Sequence, residues 1–176
     1  ADDREDGMTP AQVATFERVT EGLPGSRSIA NSAAVLAWPR THADWVRPGL
    51  MLYGISPFQQ GSGPDIGLQP AMALETEVIA VKRVREGETV GYGGSWRALR
   101  ETRMAVAAVG YGDGYPRGTP SGTTVHVGGR SAPLIGSVSM DMIALDVTSL
   151  PPVAVGDVVT LWGRDLPVEE LDLRDL

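Results

Sequence analysis

The sequence predicts an α/β segment over residues 1–66 joined to a β-rich domain over residues 67–176. Two observations carry this reading. Up to about residue 58, helical and strand patterns alternate in the order helix, strand, helix, strand, which implies parallel strands joined by crossovers. Beyond that point no helical pattern follows, and short alternating runs separated by Gly or Pro turns suggest an antiparallel barrel or sandwich. With 42% apolar and 21% charged residues in 176, the composition is that of a folded globular protein. A complete eight-stranded α/β barrel needs about 250 residues, so the α/β segment is expected to be part of a larger one continued upstream.

The elements follow in order. In "TPAQVATFERVTEGLPG", Thr9 is placed as the helix cap with Pro10 at the first helical position, and Val13, Phe16, Val19 and Leu23 recur at helical spacing. Gly22 and Pro24–Gly25 stop that helix. "RSIANSAAVLAWP" reads as a short strand ending at Asn31–Ser32, then an alanine-rich helix broken at Pro39. "ADWV" adds a partial turn, and "RPGLMLYGISP" is predicted to be a buried apolar strand. After the Gly-rich "QQGSGPDIGLQP", "AMALETEVIAVKRVREGETV" alternates around the turn "EGE". "RMAVAAVGYGD", "TTVHVGGRSAPLIG", "SMDMIALDVT" and "VAVGDVVTLWG" supply further strands, the last turning at Gly156–Asp157.

The net charge of −7 argues against a nucleic-acid groove or an anionic membrane as partner. No run approaches the ~18 apolar residues of a membrane span, and no basic-then-apolar signal opens the chain. With no cysteine there is no disulfide framework and no thiolate metal site, and no metal-ligand spacing appears; a cytoplasmic setting fits. Of the 15 basic residues only Lys82 is a lysine, so any lysine chemistry uses Lys82 or a residue outside this chain.

Several residues could carry chemistry, each with a plainer alternative. Asn31–Ser32 at a strand end and helix start offers a hydroxyl and free N–H donors suited to an anion; the plainer reading is that Ser32 caps its helix. Arg47 before Pro-Gly is unusual at an apolar strand, though it could simply reach solvent. Gly49 would let the backbone approach a ligand and expose its own N–H and that of Leu50. If both segments lie at C-terminal strand ends of a barrel, they converge where barrels often hold phosphates. Tyr92 in "VGYGGSW" and Tyr111 in "VGYGDGYPR" each stand between glycines. A free phenol titrates far above neutral pH, so use as a base needs a nearby cation or strong hydrogen bond; packing is the plainer role. His42 and His126 read as ordinary surface or strand residues, and Asp113 and Asp141 as turn residues.

Taken together, "RSIANSAAVLAWP", "DWVRPGLMLYGISP", "VGYGG", "VGYGDGYPR" and "GSVSMDMIALDVT" closely resemble the bacterial alanine racemases, in order and spacing, from about residue 27 to 163. The resemblance implies the C-terminal part of a TIM-type (β/α)8 barrel, cofactor-binding through its last βα units, followed by a mostly antiparallel β C-terminal domain. It also implies a cytoplasmic isomerase that uses pyridoxal 5'-phosphate to interconvert L- and D-alanine, supplying D-alanine for peptidoglycan. The family is a homodimer whose active site is shared between subunits.

By the same resemblance Tyr92 matches one of two catalytic bases, offered from the opposite subunit, the other being the cofactor lysine. Arg47 matches the arginine facing the cofactor's ring nitrogen. Ser32, Gly49 and Leu50 match phosphate contacts, as does Asn31. Met140 matches the residue whose backbone N–H meets the substrate carboxylate, and Tyr111 and Arg117 match the access channel. The family's cofactor lysine, its substrate-binding arginine and a histidine near Arg47 belong upstream of this sequence, and a late phosphate-binding tyrosine falls beyond Leu176. Lys82 lies where the family tolerates other residues, and Ser137 stands where some members carry an arginine. The expectation is a C-terminal half to two-thirds of such a racemase, inactive alone. The alternatives are a broad-specificity amino-acid racemase of the same fold, and a non-catalytic interaction module.

Overall fold

The computed structural model of the chain describes residues 2, 7–163 and 165–168. Residue 164 and residues 169–176 of the expected β-rich part lie outside the described residues. The chain divides into two compact units, Ala1–Ala71 and Met72–Leu176.

The first unit opens with α1 (Met8–Thr20), which starts one residue before the expected cap. Gly7 occupies the cap position without a side-chain bond, and Thr9 is buried in the first turn, its hydroxyl unpartnered among the described residues. The Thr-Pro signal fails because the threonine side chain is turned inward, where it cannot reach the free N–H groups of the helix start. Thr20 closes the other end through its hydroxyl to the Phe16 carbonyl at 2.8 Å, and Gly22 takes a left-handed φ of 75°. Of the apolar stripe, Val13 and Phe16 are half-buried, whereas Val19 and Leu23 are exposed.

β1 (Ser28–Asn31) leads into α2 (Ser32–Ala37), which ends before Pro39 as expected. The single-turn 3-10 helix Pro39–Thr41 returns the chain to β2 (Trp45–Arg47). β1 and β2 pair in parallel, with Asn31 opposite Arg47, as the crossover pattern requires. The second strand corrects the sequence expectation: it lies on "WVR" and stops before Pro48. Proline offers no N–H to continue the pairing, and Gly49, at φ −128° and ψ −91°, turns the chain out of extended geometry. "LMLY" is a 3-10 turn, Leu50–Tyr53, with Leu50, Leu52 and Tyr53 exposed, ended by Gly54 at φ 82°. The apolar run was read as a buried strand because periodicity alone does not separate a strand from a short helical turn.

The second unit is a closed antiparallel barrel. Its strands are β3 (Leu74–Val84), β6 (Thr102–Ala107), β7 (Thr124–Val127), β8 (Arg130–Ile135), β9 (Ile143–Asp146) and β10 (Val158–Trp162), in the order β10-β3-β6-β9-β8-β7. Pairing of Val159 with Val127 closes the ring, which leaves no unpaired edge and resolves the barrel-or-sandwich alternative. A two-residue turn joins β7 to β8, and Gly128 and Gly129 supply the positive φ values (55° and 75°) such hairpins need. Alternation along the strands sends Val78, Ala105, Val125, Leu134, Leu145, Val159 and Leu161 inward to a continuous core. A separate hairpin of β4 (Thr89–Val90) and β5 (Trp96–Arg97) projects between β3 and β6 in the chain. Lys82 is exposed on β3 opposite Met104 of β6. Arg103 donates to the carbonyls of Val147, Leu150 and Pro151, pinning the connection after β9.

Tyr115 is the largest wholly buried side chain and stacks on Trp162, ring centroids 6.2 Å apart. Among the described residues its hydroxyl makes no hydrogen bond of good geometry; Thr119, beside it and opposing the effect of burial only weakly, gives its own proton to the Pro116 carbonyl. Burial therefore holds the Tyr115 phenol above its ordinary pKa.

Two predictions follow from this packing. Tyr115→Phe, which removes an unsatisfied buried hydroxyl and keeps the ring, leaves stability unchanged or raises it by about 1 kcal/mol in urea unfolding. Above the free-phenol pKa of about 10 the unfolded chain releases the Tyr115 proton first. The wild type then loses stability as pH rises towards the raised folded pKa, a loss absent from Tyr115→Phe. In the first unit, a Cβ at Gly54 would sit 2.3 Å from the Gln69 carbonyl oxygen, at a φ of 82°. Gly54→Ala is expected to cost at least about 2 kcal/mol, read as a lower thermal midpoint.

Candidate functional site

In the first unit, the C-terminal ends of the two parallel strands bring Asn31, Ser32, Arg47, Gly49 and Leu50 to one corner. Asn31, not Ser32, caps α2: its side-chain oxygen accepts the Ala34 N–H at 3.0 Å. The favoured reading of Ser32 as cap is thereby corrected, and the buried serine serves a different contact. Ser32 Oγ accepts the Gly49 N–H at 2.7 Å, with the Met51 N–H at 3.5 Å. A hydroxyl that accepts in this way keeps its own proton to donate elsewhere. Among the described residues the Leu50 amide has no partner. Arg47 is exposed, and its Nη1 donates to Ser28 Oγ at 2.7 Å. The corner therefore offers a guanidinium, a hydroxyl proton and a free amide, a donor set that suits a phosphate.

In the second unit, Tyr92 stands at the tip of the β4–β5 hairpin with 68% of its surface exposed. Its glycines have separate causes. Gly93 and Gly94 turn with φ of 66° and 64°. Gly91 lies where a Cβ would come within 2.8 Å of the Ser137 backbone nitrogen, so the hairpin docks backbone to backbone on the β8–β9 connection. The Ser95 and Ser137 hydroxyls join across that contact at 2.9 Å.

The second glycine turn docks on the same connection. The Tyr111 N–H donates to the Ser139 carbonyl at 3.0 Å and the Gly112 N–H to the Met140 carbonyl at 2.7 Å. A Cβ at Gly110 would meet the Ser139 oxygen at 2.3 Å, so only glycine allows this approach. The Asp113 carboxylate accepts the Gly110 N–H at 2.9 Å, in keeping with the turn role read from the sequence. The Arg117 guanidinium carbon lies 5.3 Å from the centre of the half-buried Tyr111 ring, within cation–π range. The Met140 side chain is exposed, and its own N–H has no partner among the described residues.

The structure thus gathers the sequence candidates into one corner on the first unit and one loop cluster on the second. Sequence reasoning missed Ser28 as the partner of Arg47; a serine two or three residues before a strand's end carries no signal of what its hydroxyl will meet. It also missed the dependence of both glycine turns on residues 136–140. The Gly136–Ser137 pair was a signal, since a Cβ on Gly136 would come within 3.1 Å of the Val90 carbonyl.

Comparison with known proteins supplies the family. The family described as "Alanine racemase, C-terminal domain" matches residues 71–175, and "Alanine racemase, N-terminal domain" matches residues 1–57. The biosynthetic alanine racemase of Escherichia coli (strain K12) is 52% identical over 172 residues, 97% of this chain and 48% of that protein. The alanine racemase of Shewanella amazonensis is 52% identical over 174 residues, 99% of this chain and 48% of that protein. The crystal structure of biosynthetic alanine racemase from Pseudomonas aeruginosa superposes with a TM-score of 0.86 at 48% identity, covering 96% of this chain and 47% of that one. Alanine racemase from Bartonella henselae, solved with covalently bound pyridoxal phosphate, gives a TM-score of 0.84 at 33% identity, covering 96% and 47%. The chain spans about half the length of the curated relatives it matches. Both the matched domains and the fold, a partial α/β region followed by a closed β-barrel, make this chain a member of the alanine racemase family.

Proposed function

We propose that this chain supplies the cofactor-phosphate corner and the tyrosine side of an alanine racemase site, working as a homodimer with a lysine-bearing barrel portion. The observation that carries the reading is the corner at Ser32, where the hydroxyl, tied to the Gly49 amide at 2.7 Å, retains a proton for an anion. Pyridoxal 5'-phosphate, when bound, supplies an electron sink for the charge left by the departing α-proton. Ser32 would donate to its phosphate, with the Leu50 amide as a second donor. Gly49 and Asn31, matched to phosphate contacts by the resemblance, give the Gly49 N–H to Ser32 and the Asn31 side-chain oxygen to the Ala34 N–H. They would thus line the phosphate while holding the backbone in place. Arg47 would face the ring nitrogen without giving up its proton. The substrate carboxylate would take the Met140 N–H, and Tyr111 and Arg117 would line its way in.

Racemisation needs proton transfer on both faces of the α-carbon, hence two bases. Tyr92 of the opposite subunit is proposed for one face; its exposure at a hairpin tip suits a residue offered to a neighbour. Lys82 does not fit the other role. It is exposed on a barrel strand. The second base then comes from outside this chain, which alone would be inactive. An open groove of roughly 480 Å³ on the first unit, lined by Met8, Ala11, Phe16 and Ile29, leaves apolar surface for further barrel elements. The match to racemases throughout the chain favours this reading over a non-catalytic module.

Three measurements test it. This chain mixed with pyridoxal 5'-phosphate should develop no imine absorbance band; a band abolished by Lys82→Ala would overturn the assignment of Lys82. Mixing with the lysine-bearing half of a racemase should restore alanine racemisation, and a well-folded mixture without activity would favour the module. In that restored enzyme, Tyr92→Phe should slow α-proton exchange from one enantiomer by ~10²–10⁴-fold with cofactor binding retained. Equal slowing from both enantiomers would argue against Tyr92 as a one-face base.

A further inference from the structure

The Gly110 backbone is held from both sides by one residue. The Asp113 carboxylate accepts the Gly110 N–H at 2.9 Å, and the Asp113 N–H donates to the Gly110 carbonyl at 3.0 Å, which also receives the Tyr115 N–H at 3.1 Å. Glycine has more backbone freedom than any other residue, so without these bonds the two peptide planes flanking Gly110 would be free to turn.

Those planes pass their orientation on. The Gly110 carbonyl and the Tyr111 N–H belong to one planar trans peptide and point in opposite directions. The backbone N–H groups of Asp113 and Tyr115 draw the carbonyl into the turn, while the Asp113 carboxylate fixes the preceding peptide plane through the Gly110 N–H and so restrains the rotation about Gly110. The Tyr111 N–H then faces outward to the Ser139 carbonyl at 3.0 Å. Ser139 C=O and Met140 N–H form the next such unit. Fixing the Ser139 carbonyl on Tyr111 therefore sends the Met140 N–H the opposite way, where it is free among the described residues. The Gly112–Met140 bond at 2.7 Å holds the following peptide as well.

We infer that Asp113 is a positioning residue for substrate binding: through the planes of Gly110, Tyr111 and Ser139 it aims the Met140 amide at the substrate carboxylate. The inference rests on the proposed role of Met140 above. Asp113 touches no reacting atom, so its loss should weaken carboxylate binding far more than the chemical step.

The test uses the racemase reconstituted from this chain and a lysine-bearing half. Asp113→Ala is expected to raise KM for both alanine enantiomers about tenfold, with kcat reduced less than threefold. Inhibition by propionate, a carboxylate with no amine, should weaken by the same factor. Asp113→Asn, which keeps a carbonyl acceptor for the Gly110 N–H, should return both values to within about twofold of the wild type. Unchanged KM and propionate inhibition in Asp113→Ala overturn the inference, as does an equal loss in Asp113→Asn. Should the alanine variant fail to fold, Asp113→Glu moves the acceptor by one methylene. A rise in KM of at least threefold there supports the role, and none overturns it. The Met140 amide resonance separates the two levels of the argument. Propionate that leaves it unmoved in the wild-type enzyme removes the Met140 reading and this inference together. Propionate that shifts it with equal affinity in wild type and Asp113→Ala removes only the role of Asp113.

Discussion

The arrangement of the second unit depends on a backbone-to-backbone contact. The connection between β8 and β9, residues 136–142, is the surface on which two glycine turns rest. Gly91 packs on the Ser137 nitrogen and Gly110 on the Ser139 carbonyl, each at a distance that a methyl group would make impossible. Hydrogen bonds from Tyr111 and Gly112 then fix the second turn on the Ser139 and Met140 carbonyls. Removing side chains from the turns lets peptide groups, which are obligatory hydrogen-bonding groups, satisfy each other directly. The turns that carry Tyr92 and Tyr111 thus rest on one strip of chain, which itself carries Met140.

That strip is in turn anchored by the closed barrel. β8 and β9 each pair on both sides, β8 with β7 and β9, β9 with β8 and β6. Their inward residues Leu134, Ile143 and Leu145 lie in the core almost without solvent contact. Rearranging residues 136–142 would require moving strands whose packing is near solid density. A short loop between two fully paired strands is consequently a good place to mount groups that must hold a direction, as sites built on rigid elements do.

The barrel strands were legible because their alternation, turn glycines and turn spacing all agree. The parallel α/β order was legible from the alternation of patterns. Three local readings failed for physical reasons that a single sequence does not display. Thr9 had cap chemistry but an inward side chain. Ser32 and Asn31 are adjacent and chemically equivalent as caps, so only geometry assigns the role to Asn31 and frees Ser32 for Gly49. The run after Pro48 was apolar without being buried, and a proline's missing donor ended its strand. The site residues were legible as candidate chemistry, and the family's motifs suggested the roles proposed for them above. Their supports were not: the Ser28 bond to Arg47 joins residues nineteen apart, and the bonds from Gly112 and Tyr111 reach twenty-eight positions along the chain.

The near-repeated "VGYG" segments show how the same four residues can be put to different use. Tyr92 sits on a hairpin of two-residue strands, and a two-stranded ribbon is marginal without outside support. Its tip is held by the close packing of Gly91 and by one exposed bond between serine hydroxyls. Tyr111 is anchored by its own amide and by that of Gly112, closed in by Asp113, and its ring is covered by Arg117. The difference suits the roles proposed above, since a phenol that moves a proton benefits from standing clear, whereas one that shapes a passage has to keep its place. The residue after the second glycine contributes to the difference. In the first segment it is Gly94, which adds freedom; in the second it is Asp113, whose carboxylate reaches back and removes it. The two tyrosines thus differ by the amide bonds to Ser139 and Met140, the cover of Arg117 and the Asp113 carboxylate, distinctions in mechanics that their identical flanking sequence conceals.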